Sequence, residues 1–279
     1  MRKKQDRNLR NLIKCIIRTK VSLNEGRTDG VALYLSGGVD SMTLGFLCNE
    51  MGFKVTAYCF EIDNNVTADS SSARRACNMF GWGLKIINVP SENLYDDFKR
   101  LTKLGCRKKT HYECTWPMLY LFPETKEKYI FGGYGADILY GLSKQACMHY
   151  KHTIDLLNDY RAKRFADDNP NGVRQREKLA RRYGKVLVEP YMDPIMPDYF
   201  KDKTWDDCNQ PVQKAIVLRE FPEFKNFGRR PHVNYQLLAK IPEYFETLLA
   251  GDLNFNKRTR IIDLCRDHYE LAKSKGDAK

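Results

Sequence analysis

The sequence predicts an α/β fold, a parallel sheet with helices on both faces followed by a mainly helical C-terminal extension. Three observations carry this expectation. Helix-period and strand-like segments alternate through residues 7–89, an order that favours parallel strands joined by helical crossovers. A short apolar run, Val31-Ala32-Leu33-Tyr34-Leu35, breaks into Ser36-Gly37-Gly38-Val39-Asp40-Ser41 just before a helical pattern begins. A second strand-like run at 128–131 breaks in the same way into Gly132-Gly133-Tyr134-Gly135-Ala136-Asp137.

Each element has its own justification. Residues 7–20 place Leu9, Leu12, Ile13, Ile16 and Ile17 at i, i+3, i+4, i+7 and i+8, the buried stripe of a helix whose other face is basic. A polar turn with Gly26 and Gly30 leads into the first strand, and the helix after it ends at Gly52. The segment KVTAYCF, residues 54–60, is rich in β-branched and aromatic residues and reads as a second strand. A helix is expected at 69–80, ended by Gly81-Trp82-Gly83, and LKIINV at 84–89 is a third strand. After Pro90 come a helix at 94–104, a basic loop Arg107-Lys108-Lys109, and CTWPMLYLF as a turn into a buried helix. Beyond the fourth strand, the charged stretches 161–168 and 174–185 read as solvated helical faces around a polar loop at 167–172. The three prolines of residues 186–200 predict irregular structure, and helices resume at 213–220, 235–250 and 260–273 before a basic tail. The expected organisation is a basic helix and turn at 1–28, an α/β domain at 29–150, and a mainly helical part at 151–279 that completes the substrate site.

Composition bounds the class. A chain of 279 residues with 42% apolar and 12% aromatic residues can bury a proper core. Its 47 Lys and Arg against 35 Asp and Glu give a net charge of +12, which favours polyanionic partners, nucleotides or nucleic acid, without choosing between them. Nine scattered cysteines, none in a C-x-x-C pair, indicate neither a zinc site nor a disulfide framework and read as reduced thiols in a cytoplasm. No apolar run approaches eighteen residues, so no membrane partner is expected.

The first glycine turn predicts an anion site. Gly37 and Gly38 let the backbone turn sharply with no Cβ in the way, while Ser36, Ser41 and the free amides of the following helix, from Val39 onward, supply donors. Asp40 would repel a bare phosphate unless a cation stood between them, which predicts magnesium. The spacing is not G-x-x-x-x-G-K-[ST], and no lysine follows the glycines. The second turn repeats the logic, with Gly133 and Gly135 against the phosphates and Asp137 sharing the metal with Asp40.

The pattern S-G-G-x-D-S resembles the pyrophosphate loop of the ATP pyrophosphatases (PP-loop enzymes), whose five-stranded, HUP-like sheet is then the expected fold. From Asp29 to Pro231 the chain is similar to the synthetase domain of asparagine synthetase and β-lactam synthetase. The resemblance rests on LSGGVDS, on Thr115-Trp116-Pro117-Met118, on FGGYGADILYG, on Val188-Glu189-Pro190-Tyr191-Met192-Asp193, and on KAIVLR from Lys214 to Arg219. It implies ATP and Mg2+ as cofactors, and a reaction in which a carboxylate attacks the α-phosphorus and a nitrogen nucleophile captures the acyl-adenylate.

Departures from the family pattern refine the expectation. Tyr134 stands where asparagine synthetase has Glu and is similar to β-lactam synthetase, where the tyrosine belongs to a dyad taking a proton from the attacking amine. A phenol with an ordinary pKa near ~10 needs a partner for this, and Glu177 is the expected one. Where the family places a lysine after R-P, this chain reads Arg229-Arg230-Pro231-His232, so His232 or Arg230 is expected to stabilise the oxyanion. No cysteine stands at position 2, so no glutaminase is expected. Nitrogen would come from free ammonia, from a separate amidotransferase or from a primary amine, which Tyr134 favours. The alternatives are a PP-loop enzyme that adenylates a base carbonyl in tRNA or another nucleic acid, and a nucleotide-binding module without catalysis.

Overall fold

A computed structural model describes residues 8–167, 172–228 and 235–252. The chain opens with α1 (Leu9–Lys20) and α2 (Leu23–Thr28), then alternates β1 (Val31–Tyr34), α3 (Val39–Glu50), β2 (Val55–Ile62), α4 (Ala68–Phe80) and β3 (Gly83–Val89). Helices α5 (Leu94–Leu104), α6 (Lys109–Thr115) and α7 (Met118–Glu124) lead to β4 (Tyr129–Phe131) and the short α8 (Ala136–Tyr140). There follow α9 (Ile154–Ala166), α10 (Val173–Arg182), β5 (Val186–Val188), α11 (Met196–Phe200), α12 (Trp205–Asn209) and α13 (Ala215–Glu220). The last described elements are α14 (Phe224–Phe227), α15 (Tyr235–Leu238) and α16 (Ile241–Asp252).

The five strands are parallel, in the order β3-β2-β1-β4-β5. Two crossovers carry the chain outward from β1 to β3, after which it returns to lay β4 on the other side of β1. The direction of winding therefore reverses between β1 and β4, and the crevice at their carboxyl ends is where open α/β sheets receive ligands. Alternate strand residues feed two cores, as a sheet covered on both faces requires. Val31, Leu33, Val55 and Ala57 pack with the buried stripes of α1 and α3, whereas Ala32 and Tyr58 join a second core around Phe98, Trp116, Phe122 and Phe245.

Helix α1 follows the expected pattern. Asn8 caps it by accepting the Asn11 amide at 2.8 Å, and Leu9, Ile13, Ile16 and Ile17 are its buried stripe. Its basic face is partly engaged, since Arg10 pairs with Glu223 at 2.8 Å and Glu50 at 2.9 Å.

Three expectations are corrected. Val186–Val188, inside the proline-rich stretch read as irregular, form β5 in register with Tyr129–Phe131, so the sheet is completed from beyond residue 150. Three residues are too few to display a period, and pairing with β4 specifies the strand instead. The charged stretches are not uniformly solvated, because Arg161 and Arg176 are only 1% and 6% exposed. Arg161 donates to the carbonyl oxygens of Leu139 (2.9 Å), Phe200 (2.8 Å) and Lys203 (3.2 Å), using its fork of donors to tie α8 and α9 to the end of α11. The helix expected at 235–250 is divided into α15 and α16 at Lys240, whose φ is +53°. The helix expected at 260–273, the tail and residues 168–171 of the polar loop lie outside the described residues. Among the described residues no helix is long and apolar enough to cross a membrane.

Candidate active site

The first loop is shaped by close approach. Gly37 has φ +67°, and a Cβ there would lie 2.2 Å from Ser72 Oγ on α4, so only glycine lets the turn sit against that helix. Gly38 occupies the N-cap of α3 with no side-chain cap bond, leaving the first helical amides directed at the crevice. Ser36 Oγ accepts the Gly38 amide at 3.2 Å and lies 3.3 Å from Ser41 Oγ, which donates to the Gly38 carbonyl at 3.2 Å. Val39, buried in the first core, anchors the start of the helix.

The second loop leans on the first. A Cβ on Gly133 would lie 3.1 Å from Asp40 Cβ and 3.2 Å from the Ser41 amide nitrogen. Gly135 has φ +94°, and a Cβ there would lie 2.5 Å from Met192 Sδ, so the turn that presents Asp137 at the start of α8 also requires glycine. Since β1 and β4 are parallel neighbours, both acids emerge at one edge of the sheet.

Between them lies Lys214, to which the sequence assigned no role. Its Nζ is 2.5 Å from Asp40 Oδ2 and 2.9 Å from Asp137 Oδ1. The residue is 4% exposed and adopts φ +62° at the N-cap of α13, where its amide donates to Asn209 Oδ1 at 3.1 Å. Asn209 is held in turn by the Tyr140 carbonyl at 2.8 Å. The available signal is the segment KAIVLR, already part of the family resemblance, in which a lysine opens an otherwise apolar helical run. Burial pushes the Asp40 carboxyl up to about 6 against the pull of Lys214, with Asp137 adding to the rise. Lys214 is itself raised: burial opposes its charge, but the two carboxylates outweigh burial.

The acids suit magnesium. Asp40 Oδ1 is buried and accepts no hydrogen bond among the described residues, and hard oxygen donors are what that ion prefers. No group of three or more His, Cys, Asp or Glu able to hold a metal occurs among the described residues. Asp40 and Asp137 would therefore hold the ion with phosphate oxygens and water completing its shell, and Lys214 competes for the same carboxylates.

Ser36, Asp40, Ser41, Asp137 and Lys214 line one end of a cavity of about 540 Å³, with Leu35, Phe60, Leu121 and Phe122 as an apolar wall. Tyr134 lines the same cavity, and burial pushes its phenol far above the ordinary range. The structure does not bring Glu177 to it. Glu177 pairs with Arg181 at 3.4 Å and is absent from the cavity lining, whereas its neighbour Arg176 stands 4.5 Å over the Tyr134 ring. Arg176 also meets Glu189 at 3.2 Å, both side chains at most 10% exposed, and burial raises the Glu189 carboxyl despite that partner. One residue, about 100° of helical phase, separates the outward Glu177 from the inward Arg176, which charge alone does not reveal. Arg230 and His232 lie outside the described residues.

A strand, a double-glycine turn and a helix at the switch point, with acids on two facing loops, define a PP-loop type of α/β enzyme. The asparagine synthase family profile matches residues 27–238. The chain belongs to the asparagine synthase family, and so to the ATP-pyrophosphatase type of enzyme. No curated protein sequence matches it. Among solved structures it is similar to the U34-tRNA thiolase NcsA from Methanococcus maripaludis (12% identity, 94% of this chain and 78% of the other, TM-score 0.38). It is also similar to NMN synthetase from Francisella tularensis (13% identity, 91% and 100%, TM-score 0.35). A third is the NH3-dependent NAD synthetase from Campylobacter jejuni (17% identity, 81% and 95%, TM-score 0.33).

Proposed function

We propose that the protein is an ATP-dependent amide-forming ligase, which adenylates a carboxylate and transfers the acyl group to an amine or ammonia. The observation that carries this reading is the convergence of Asp40, Asp137 and Lys214 at the sheet's switch point, in one cavity with the Ser36–Ser41 loop and Tyr134.

The loop amides, Ser36, Ser41, Gly133 and Gly135 surround the β and γ phosphates, while the apolar wall takes the base. A carboxylate oxygen of the acid attacks the α-phosphorus, the bond from that phosphorus to the bridging oxygen breaks, and its electron pair leaves on pyrophosphate. Asp40 and Asp137 would hold a magnesium ion, which would supply charge neutralisation for the phosphates. The Lys214 ammonium, on a backbone amide held by Asn209 and kept charged by two acids, donates to oxygens on which negative charge develops. Arg164 lines the cavity with a buried Nε that has no hydrogen-bond partner among the described residues, and it offers the acid substrate an anchor. In the second half-reaction the amine nitrogen attacks the acyl carbon, AMP departs with the carbon–oxygen electron pair, and the surplus proton passes to the Tyr134 oxygen as the phenol's own proton moves on to the Glu189 carboxylate. Glu189 replaces Glu177 in that proposal because it is the acid that faces the tyrosine's cation.

A screen of carboxylic acids for ATP–pyrophosphate exchange tests the reading. An acid labelled with oxygen-18 in its carboxylate should pass the label to AMP, and release of ADP with any acid would exclude the mechanism. A second reading, adenylation of a base carbonyl in tRNA, is favoured by the exposed basic residues of α10, Arg174, Lys178, Arg181 and Arg182, beside the cavity wall that Arg176 provides. Binding to tRNA that weakens steeply with salt, with AMP released only when tRNA is present, would replace the first reading by the second.

A further inference from the structure

Helix α6 brings an unused acid to the cavity. Glu113 is 6% exposed and lines the cavity with Thr110 and Cys114 of its own helix and Gln236 of α15. Its Oε1 is buried and accepts no hydrogen bond among the described residues. Lys109 pairs with that same Oε1 at 3.6 Å, but it is 38% exposed and is shared with Glu246 at 3.5 Å. Burial raises the Glu113 carboxyl, the mark of a charge without adequate compensation.

The position within the cavity matters. Cys114, next in sequence, accepts from Gln236 Nε2 at 2.8 Å, so α15 is held against α6 where both line the cavity. Glu189, also in the lining, is already taken by Arg176. Glu113 is thus a cavity-lining acid with unspent acceptor capacity, and Thr110, exposed on the same helix, lines the cavity beside it.

We propose that Glu113 anchors a cationic organic amine, an alkyl ammonium or guanidinium group of the nitrogen-donating substrate, so that the acceptor is an organic amine and not ammonia. The inference rests on the amide-forming reading and names the substrate class of its second half-reaction. A charge-assisted hydrogen bond from an N–H donor to Oε1 fills the vacant acceptor and offsets the desolvation of the carboxylate. The side chain of Gln236 and the hydroxyl of Thr110 stand by to meet the remaining donors.

The test is titration calorimetry of the full chain with n-butylamine, 1,4-diaminobutane and ammonium chloride at matched ionic strength, using wild type, E113Q and K109Q. The two organic amines should bind wild type more tightly than ammonium does. E113Q, which keeps shape and removes charge, should lose about tenfold or more in their affinity. K109Q removes the competing ammonium and should tighten binding about threefold, a gain that a merely structural role for Glu113 would not produce. Equal affinity in wild type and E113Q, or organic amines binding no better than ammonium, overturns the proposal. Displacement of a fluorescent ATP analogue from the same proteins keeps the two readings apart. Nucleotide binding intact in E113Q with no amine effect removes the Glu113 assignment alone, whereas failure of ATP to bind wild type removes the ligase reading while the amine titration still decides Glu113.

Discussion

Lys214 Nζ reaches Asp40 Oδ2 at 2.5 Å across 174 positions of sequence, and the same ammonium is 2.9 Å from Asp137 Oδ1. The contact closes the crevice between two parallel strands with a residue from the C-terminal part of the chain. Without that cation the carboxylates of Asp40 and the half-exposed Asp137 would face each other.

Lys214→Met should therefore cost both stability and activity. Removing one partner of a buried ion pair is worth about 3–5 kcal/mol, and the electrostatic contribution to turnover is about a hundredfold or more. The diagnostic feature is magnesium. In thermal melts the ion should raise the midpoint of the variant more than that of wild type, because the two acids are then open to it; an equal shift in both would remove the metal assignment.

The pH dependence has a definite sign. Asp40 is raised to about 6, so between roughly pH 4 and 6 the folded state holds a proton that the unfolded chain has released. Stability without metal should then fall as pH rises through that window, since charging Asp40 in place is opposed by burial. Metal binding needs the ionised carboxylate, so the stabilisation given by magnesium should grow over the same range. Asp40→Asn, melted with and without magnesium from pH 4.5 to 7.5, should flatten both trends and abolish ATP–pyrophosphate exchange.

Tyr134→Phe separates the half-reactions. The variant keeps the ring under Arg176, so exchange between ATP and pyrophosphate should survive within about threefold, while amide formation should fall about a hundredfold. Loss of exchange to the same degree as amide formation would make Tyr134 a nucleotide contact instead.

Gly37→Ala tests the architecture of the first loop. A Cβ 2.2 Å from Ser72 Oγ at φ +67° forces either α4 or the loop to move, a cost of about 1–3 kcal/mol. Denaturant unfolding should show that loss together with weaker ATP binding. Gly81→Ala, at φ +68° with open space around its Cβ, should show only the smaller backbone cost and leave ATP binding unchanged.

The elements legible in the sequence are those with a local cause. The stripe Leu9, Ile13, Ile16, Ile17 declares a helix because 3.6-residue periodicity is local, and Gly37-Gly38 declares a turn because only glycine tolerates what that backbone does. Asp40 and Asp137 were found together because each follows its own strand and glycine bend. Glu177, by contrast, is expected from residue type alone, and one step along α10 turns the buried Arg176 inward and leaves Glu177 with Arg181.

The sequence by itself determined a parallel α/β sheet and two acid-bearing glycine turns at its carboxyl edge, because strand order, periodicity and turn chemistry are written in neighbouring residues. Tertiary structure alone decided that β5 completes the sheet, that Lys214 stands between the acids, and that Arg176 and Glu189 back Tyr134. Each of those depends on segments far apart in the chain meeting at low exposure, where a charge has to find its partner in space and the residues beside it in sequence carry no record of which one it finds.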